Sequence, residues 1–217
     1  MERYGRKRGL VNAALLLATL VAAMIPATGD AAAAIRLLVL GDSLTAGYGL
    51  PAAEAFPVRL EESLRAKGRD VTVINAGVSG DTTAGGLARL DWALADKPDA
   101  VIVELGANDG LRGVNPAATK ANLDAIVEHV LARGLPVLVA GMRAPPNLGR
   151  AYAKEFNALF PDVAGRHGAL LYPFFLEGVA AVPRLNQADG IHPNPEGVSI
   201  VVGNILPKVE ELLGRVR

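Results

Sequence analysis

"VLGDSLTAGYG", Val39 to Gly49, closes a run of aliphatic residues, Ile35–Leu40, and drops at once into a glycine, an acid and a serine. Gly, Asp and Ser dominate turns, so a buried segment ends here. The run is nearly all hydrophobic rather than alternating, the pattern of a strand covered on both faces. Similar runs recur at Val71–Ile74, Ala100–Leu105, Pro136–Ala140 and, more weakly, Ala169–Tyr172. Helical-period segments lie between and after them: Ala53–Lys67, Thr83–Ala95, Pro116–Arg133, Arg150–His167 and Pro195–Arg215. Asn115 before Pro116 and Asn194 before Pro195 read as N-caps with proline at the first helical position. Gly68, Gly134 and Gly168 each follow a helix whose last turn carries Lys, Arg or His, as helix ends do. Strand and helix alternating at roughly 30-residue intervals imply right-handed βαβ units. The expected fold is α/β: a flavodoxin-like three-layer α/β/α sandwich with a five-stranded parallel sheet. Ligands of such sheets bind outside the carboxyl ends of the strands, where every polar cluster of this chain falls.

Residues 1–33 stand apart from that pattern. Arg3, Arg6, Lys7 and Arg8 precede an apolar stretch, Leu10–Ile25, followed by Pro26 and the small-residue tract Ala31–Ala34. A basic start, a short apolar middle and an alanine-rich end make a secretory signal peptide. The apolar run is shorter than the ~20 residues of a spanning helix, so it is not read as a stable membrane anchor. Cleavage is expected at about Ala32–Ala34, and the protein is expected to be periplasmic or secreted. Residues 34–217 then form one domain, large enough for a sizeable core. The 33 leading residues hold four basic and two acidic groups, so 18 basic and 20 acidic residues remain, a net charge of −2. That balance gives no reason to expect nucleic acid as a partner. The chain has no cysteine, so packing rather than disulfides must stabilise it. The protein is expected to be a monomer.

Few residues are available for chemistry. The chain holds four serines, Ser43, Ser63, Ser79 and Ser199, and three histidines, His129, His167 and His192. Ser63 and Ser199 fall inside helices. His129 lies off the apolar stripe Leu123, Ile126, Val127, Val130 and Leu131, and so faces solvent. His167 sits at a helix C-terminus, where a partial positive charge is favourable without further function. His192 remains, in the loop "ADGIHPNPEG", Ala188–Gly197. Asp189, three residues before it, is placed to fix one ring nitrogen, and Pro193 restrains His192 to an extended conformation. A serine and a histidine from distant segments, with an acid orienting the base, follow the logic of activated-serine catalysis. Taken alone, Asp189 and His192 also suit a casual surface pair.

Acyl transfer needs donors for the oxyanion, and two loops are candidates. "NAGVSGDT", Asn75–Thr82, offers backbone N–H groups freed by glycine, and "ELGANDGLRG", Glu104–Gly113, offers the amide of Asn108. Both are ordinary turn sequences, and only their position at strand ends raises them. The glycine-rich part, Asn75–Gly80, is the segment expected to move on binding. Glu104, an acid closing a hydrophobic strand, requires a buried partner. Three scattered histidines and no cysteine offer no metal-ligand spacing, and no phosphate-binding glycine motif is present, so neither a metal nor another cofactor is expected.

Gly41-Asp42-Ser43-Leu44, Gly80, Gly106-Ala107-Asn108-Asp109 and Asp189-Gly190-Ile191-His192 resemble, in order and spacing, the four sequence blocks of the SGNH (GDSL) hydrolases. The stretches "GDSLTAGYG", "SGDTTAGGLARL", "VELGANDGLRG" and "DGIHPN" extend the likeness to its periplasmic branch in Gram-negative bacteria, with acyl-CoA thioesterase, arylesterase and lysophospholipase activities. The resemblance implies Ser43 as nucleophile, His192 as general base then acid, and Asp189 as its orienter. It implies an oxyanion hole from the N–H groups of Ser43 and Gly80 and the amide of Asn108. It further implies that "GMRAPPNLG", Gly141–Gly149, helps to bind or gate the acyl chain through Arg143, Ala144, Pro145 and Pro146. Asp42 is read as a brace of the turn, and Ser79 as the competing serine, lacking any G-x-S-x-G elbow.

The leading expectation is therefore a secreted serine hydrolase of acyl esters and thioesters, lysophospholipid among them. Deacetylation of a sugar or cell-wall polymer by the same residues is the alternative. A nucleotide-binding module with Ser43 in an anion-binding turn is a third.

Overall fold

The computed structural model describes residues 34–216, so the proposed signal peptide lies outside the described residues. Five strands, β1 (Ile35–Gly41), β2 (Val71–Gly77), β3 (Ala100–Glu104), β4 (Val137–Ala140) and β5 (Leu170–Tyr172), form one parallel sheet in the order β2-β1-β3-β4-β5. In β1, β3 and β4 the aliphatic runs are covered on both faces, Leu37–Leu40, Ala100–Val103 and Val137–Ala140 being buried throughout, whereas β2 and β5 are mostly half-buried. This is the flavodoxin-like α/β/α sandwich expected, and β1 lies at its topological switch point.

The helices are α1 (Ser43–Ala46), α2 (Phe56–Ala66), α3 (Thr83–Ala88), α4 (Leu90–Leu94), α5 (Ala107–Leu111), α6 (Pro116–Leu131), α7 (Gly149–His167) and α8 (Pro195–Leu213). One face of the sheet carries α2 and α8, packed on each other, and the other carries α3, α6 and α7. In α2 the residues Phe56, Leu60 and Leu64, four apart, form one buried stripe. Each such side chain stabilises the fold by about 2 kcal/mol through apolar burial. Asn115 and Asn194 cap α6 and α8 as expected, accepting from Ala117 N and Gly197 N.

Several boundaries differ from the sequence reading. The segment read as one helix over Thr83–Ala95 is two, because Arg89 leaves helical geometry (φ −105, ψ 7) and ends α3. The helix expected from Ala53 begins at Phe56, behind a 3₁₀ turn at Ala52–Glu54. Two short helices, α1 and α5, replace what read as loops. Asn75, Ala76 and Gly77, read as part of a movable loop, are strand and pair with Val39, Leu40 and Gly41. Only Val78–Gly80 of that loop lies beyond the sheet.

Register places the site. Gly41 pairs with Gly77 on one side and with Glu104 on the other, so β1, β2 and β3 end level. The segments after them, starting at Asp42, Val78 and Leu105, therefore leave the same edge side by side. A Cβ at Gly41 would collide with Thr45 Oγ1 and Glu104 Oε2, so only glycine lets the chain turn there.

Candidate active site

The turn after β1 makes Ser43 the first residue of α1. Asp42 caps that helix, its Oδ1 accepting from Leu44 N at 3.0 Å. Beneath it, Glu104 Oε2 accepts from Thr45 Oγ1 at 2.7 Å and from the Asp42 N–H at 3.4 Å. These are the buried partners that Glu104 required. Asp42 thus braces the turn, as its place in the sequence suggests. Arg89 adds a second tie, its guanidinium donating to Asp81 Oδ2 at 2.6 Å and to Gly41 O at 2.9 Å.

Asp42 and Glu104 are both fully buried. Burial pushes Asp42 up to about 6, against the downward pull of the Leu44 N–H. Burial, and then the charge of Asp42, push Glu104 well above the usual carboxylate range. The folded protein then keeps a proton that the unfolded chain releases. The stabilising share of Glu104 is complete below about pH 4.5 and is lost as pH rises. Glu104→Gln, which keeps the accepting oxygen but never ionises, should gain on the wild type by up to ~1.4 kcal/mol per pH unit above that point. Denaturant melts of both proteins at pH 5 and pH 8 check this; a difference independent of pH would mean that Glu104 is ionised in the fold.

The opposite end of the chain supplies the histidine. Residues 186–193 form a hairpin held by the Asn186–Pro193 bridge and by Gln187 N–H donating to His192 O at 2.7 Å. Asp189 Oδ1 accepts from the N–H groups of Ile191 and His192, both at 3.0 Å, and its Oδ2 lies 2.7 Å from His192 Nδ1. The two backbone donors, His192 first, and then the imidazole hold Asp189 down at about 2. An ionised carboxylate only accepts, so Nδ1 carries the proton and Nε2 is left as the acceptor. Ser43 Oγ is 2.9 Å from that Nε2, across 149 residues of sequence. Tyr48 packs its ring on the imidazole, with centroids 4.7 Å apart.

The other serines and histidines have partners of their own. Ser63 and Ser199 donate to Arg59 O and Pro195 O within their helices. His129 bonds Asp91 at 2.8 Å, and His167 bonds Asp124 at 3.0 Å. Ser79 borders the same cleft as Ser43 but, among the described residues, hydrogen-bonds no histidine.

Ser43, Gly80 and Asn108 all line that cleft. Among the described residues, the N–H groups of Ser43 and Gly80 donate to nothing in the protein. Gly80 sits at φ +85, with its carbonyl turned to Arg112 Nη2 at 2.8 Å. The Asn108 amide differs: its two hydrogens go to Asp42 Oδ2 at 3.1 Å and Asp81 O at 2.9 Å. So two of the three expected donors are free, and the third is engaged.

The cleft encloses about 640 Å³, within the range of small-molecule sites. Arg143, Ala144, Pro145 and Pro146 line it as expected. Arg143 stacks over Phe174 at 4.4 Å and pairs with Glu177 at 3.2 Å. Leu111, Met142, Phe174, Leu176 and Ile191 complete a mostly apolar wall. Sequence reasoning misses these residues, together with Tyr48 and Arg112. Only the exposed apolar residues in turns, Tyr48 and Ile191, carry a hint.

Comparison with known proteins places the chain in a family. Residues 39–200 match the GDSL-like Lipase/Acylhydrolase family. The chain is 46% identical over 162 residues to an arylesterase of Vibrio mimicus, covering 74% of this chain and 81% of the relative. It is 41% identical over 187 residues to "Thioesterase 1/protease 1/lysophospholipase L1" of Escherichia coli, covering 86% and 88%. A crystal structure of TesA superposes with a TM-score of 0.78 at 43% identity, covering 82% of this chain and 99% of that one. Three parallel strands ending level just before Ser43, a histidine 149 residues away at hydrogen-bond distance from it, and these matches lead to one conclusion: the chain belongs to the GDSL-like lipase/acylhydrolase family.

Proposed function

We propose that the protein hydrolyses acyl esters and thioesters, aryl esters and lysophospholipids among them, through an acyl-enzyme on Ser43. The observation that carries this is the chain of hydrogen bonds from Ser43 Oγ through His192 to Asp189, opening on an apolar cleft. Ser43 Oγ attacks the carbonyl carbon while its proton passes to His192 Nε2. The imidazolium, steadied by Asp189, then gives that proton to the departing alkoxide or thiolate. Water, deprotonated by His192, attacks the acyl-enzyme and releases the acid. The two free N–H groups, of Ser43 and Gly80, are suited to take the oxyanion. Asn108 joins them by turning one amide hydrogen from Asp42 or Asp81.

Asn108→Ala should therefore lower kcat roughly 100- to 1000-fold, the worth of one oxyanion donor. Steady-state hydrolysis of p-nitrophenyl butyrate measures it, and near-normal turnover would remove Asn108 from that role. The substrate class is tested by p-nitrophenyl esters from acetyl to palmitoyl. The apolar cleft and the names of the matched relatives favour a maximum at medium or long chains; activity on acetyl alone would refute the lipid-acyl reading. The sugar-ester alternative is not favoured by either observation.

Export belongs to the same reading. Among the described residues no helix is long and apolar enough to cross a membrane. The basic start, apolar middle and alanine-rich end of residues 1–33 support their removal as a signal peptide, leaving a periplasmic or secreted monomer.

A further inference from the structure

Nucleophile and base come from opposite ends of the chain, and each end is well held within itself. Asp42, Thr45 and Glu104 brace the segment Asp42–Leu50. The hairpin of residues 186–193 is anchored by Asn186, whose amide donates to Val179 O and Val182 O, both at 2.8 Å. What holds one segment to the other is far thinner. Among the described residues only two hydrogen bonds cross between them. One is the reacting bond from Ser43 Oγ to His192 Nε2. The other is made by Gln187.

Gln187 Nε2 donates one hydrogen to Tyr48 O at 2.8 Å and the other to Pro193 O at 3.0 Å. Its backbone N–H donates to His192 O at 2.7 Å. One planar amide thus spans the gap between the residue whose ring packs on the imidazole and the residue that follows the base. Gly49, at φ +73, makes room for it, since a Cβ there would collide with Gln187 Oε1. We propose that Gln187 is a positioning residue, a strut that sets the distance between His192 and Ser43 by tying the base hairpin to the nucleophile segment. This rests on the reaction proposed above. The reacting bond cannot fix that distance, because it breaks and re-forms in each turnover; beside the packing of Tyr48 on the imidazole, the Gln187 amide makes the one other hydrogen bond across the gap among the described residues.

The effect belongs in kcat. A misplacement of about 1 Å between reacting groups costs up to a hundredfold, whereas the apolar cleft that binds the acyl chain is untouched. Gln187→Ala should lower kcat on p-nitrophenyl butyrate by about 10- to 100-fold with KM unchanged. Phosphonylation of Ser43 by a fluorophosphonate should slow in the same proportion. The His192 Nδ1 proton signal should persist in the NMR spectrum, since its bond to Asp189 lies wholly within the hairpin. Gln187→Met, which fills the same space and donates nothing, should behave alike and serves if the alanine variant does not fold.

Turnover and phosphonylation within twofold of the wild type would overturn the proposal. So would loss of the Nδ1 signal, because Gln187 would then build the hairpin rather than register it. Ser43→Ala, assayed in parallel, keeps the two claims apart. Turnover that survives Ser43→Ala removes the reaction itself, whereas Ser43-dependent turnover unaffected by Gln187→Ala removes only the strut.

Discussion

Replacing Ser43 with alanine is expected to lower kcat on p-nitrophenyl esters by roughly a millionfold, to the level left by binding and oxyanion contacts alone. The expectation follows from the geometry, since among the described residues no other hydroxyl of the cleft bonds a histidine. Ser79 borders the same cleft yet bonds no histidine among the described residues. The substitution removes one hydroxyl from the first turn of α1 and leaves the Asp42 cap and the Thr45–Glu104 bond in place. Only the bond to His192 is lost, so stability should fall by no more than about 1.5 kcal/mol. Circular dichroism and a denaturant melt beside the kinetics separate lost chemistry from lost structure. A variant retaining even a hundredth of wild-type turnover would point to a different nucleophile.

His192→Ala should cost about as much as Ser43→Ala, because groups that act as a unit lose their effect together. The serine hydroxyl is a weak nucleophile until Nε2 takes its proton, and among the described residues no other base bonds it. His129 and His167 are occupied with Asp91 and Asp124. The double variant Ser43→Ala/His192→Ala should then be no slower than either single one. Measured by single-turnover kinetics, losses that multiplied would show that the two residues act separately, against the hydrogen bond that joins them.

Much of the fold and most of the site are legible in the sequence itself. Buried parallel strands announce themselves as unbroken aliphatic runs, and a cluster such as Gly41-Asp42-Ser43 at the end of one reads as the carboxyl end of a strand, where ligands of such sheets bind. With so few serines and histidines, elimination and the family likeness converge on Ser43, Asp189 and His192. Asp189 and His192 are three residues apart, so their pairing is local. What escapes the sequence depends on neighbours far along the chain. Asn75-Ala76-Gly77 have little strand propensity and are extended because Val39–Gly41 pair with them. The four residues of α1 are too few to show a helical period. Gln187 and Tyr48 are 139 residues apart, Arg89 and Gly41 are 48 apart, and nothing local in a glutamine or arginine reveals such a bond. The sequence offers the Asn108 amide as free to meet substrate, but its surroundings, Asp42 and Asp81, already occupy both hydrogens.

The most direct test of an acyl-enzyme on Ser43 is to catch it. The protein is mixed with excess p-nitrophenyl ester, quenched in acid within the first turnover, digested and weighed by mass spectrometry. A burst of p-nitrophenol and an added acyl mass on the peptide bearing Ser43, both absent from Ser43→Ala, are the expected result. An acyl mass on the peptide bearing Ser79, or hydrolysis with no adduct and no burst even when deacylation is slowed, would contradict it.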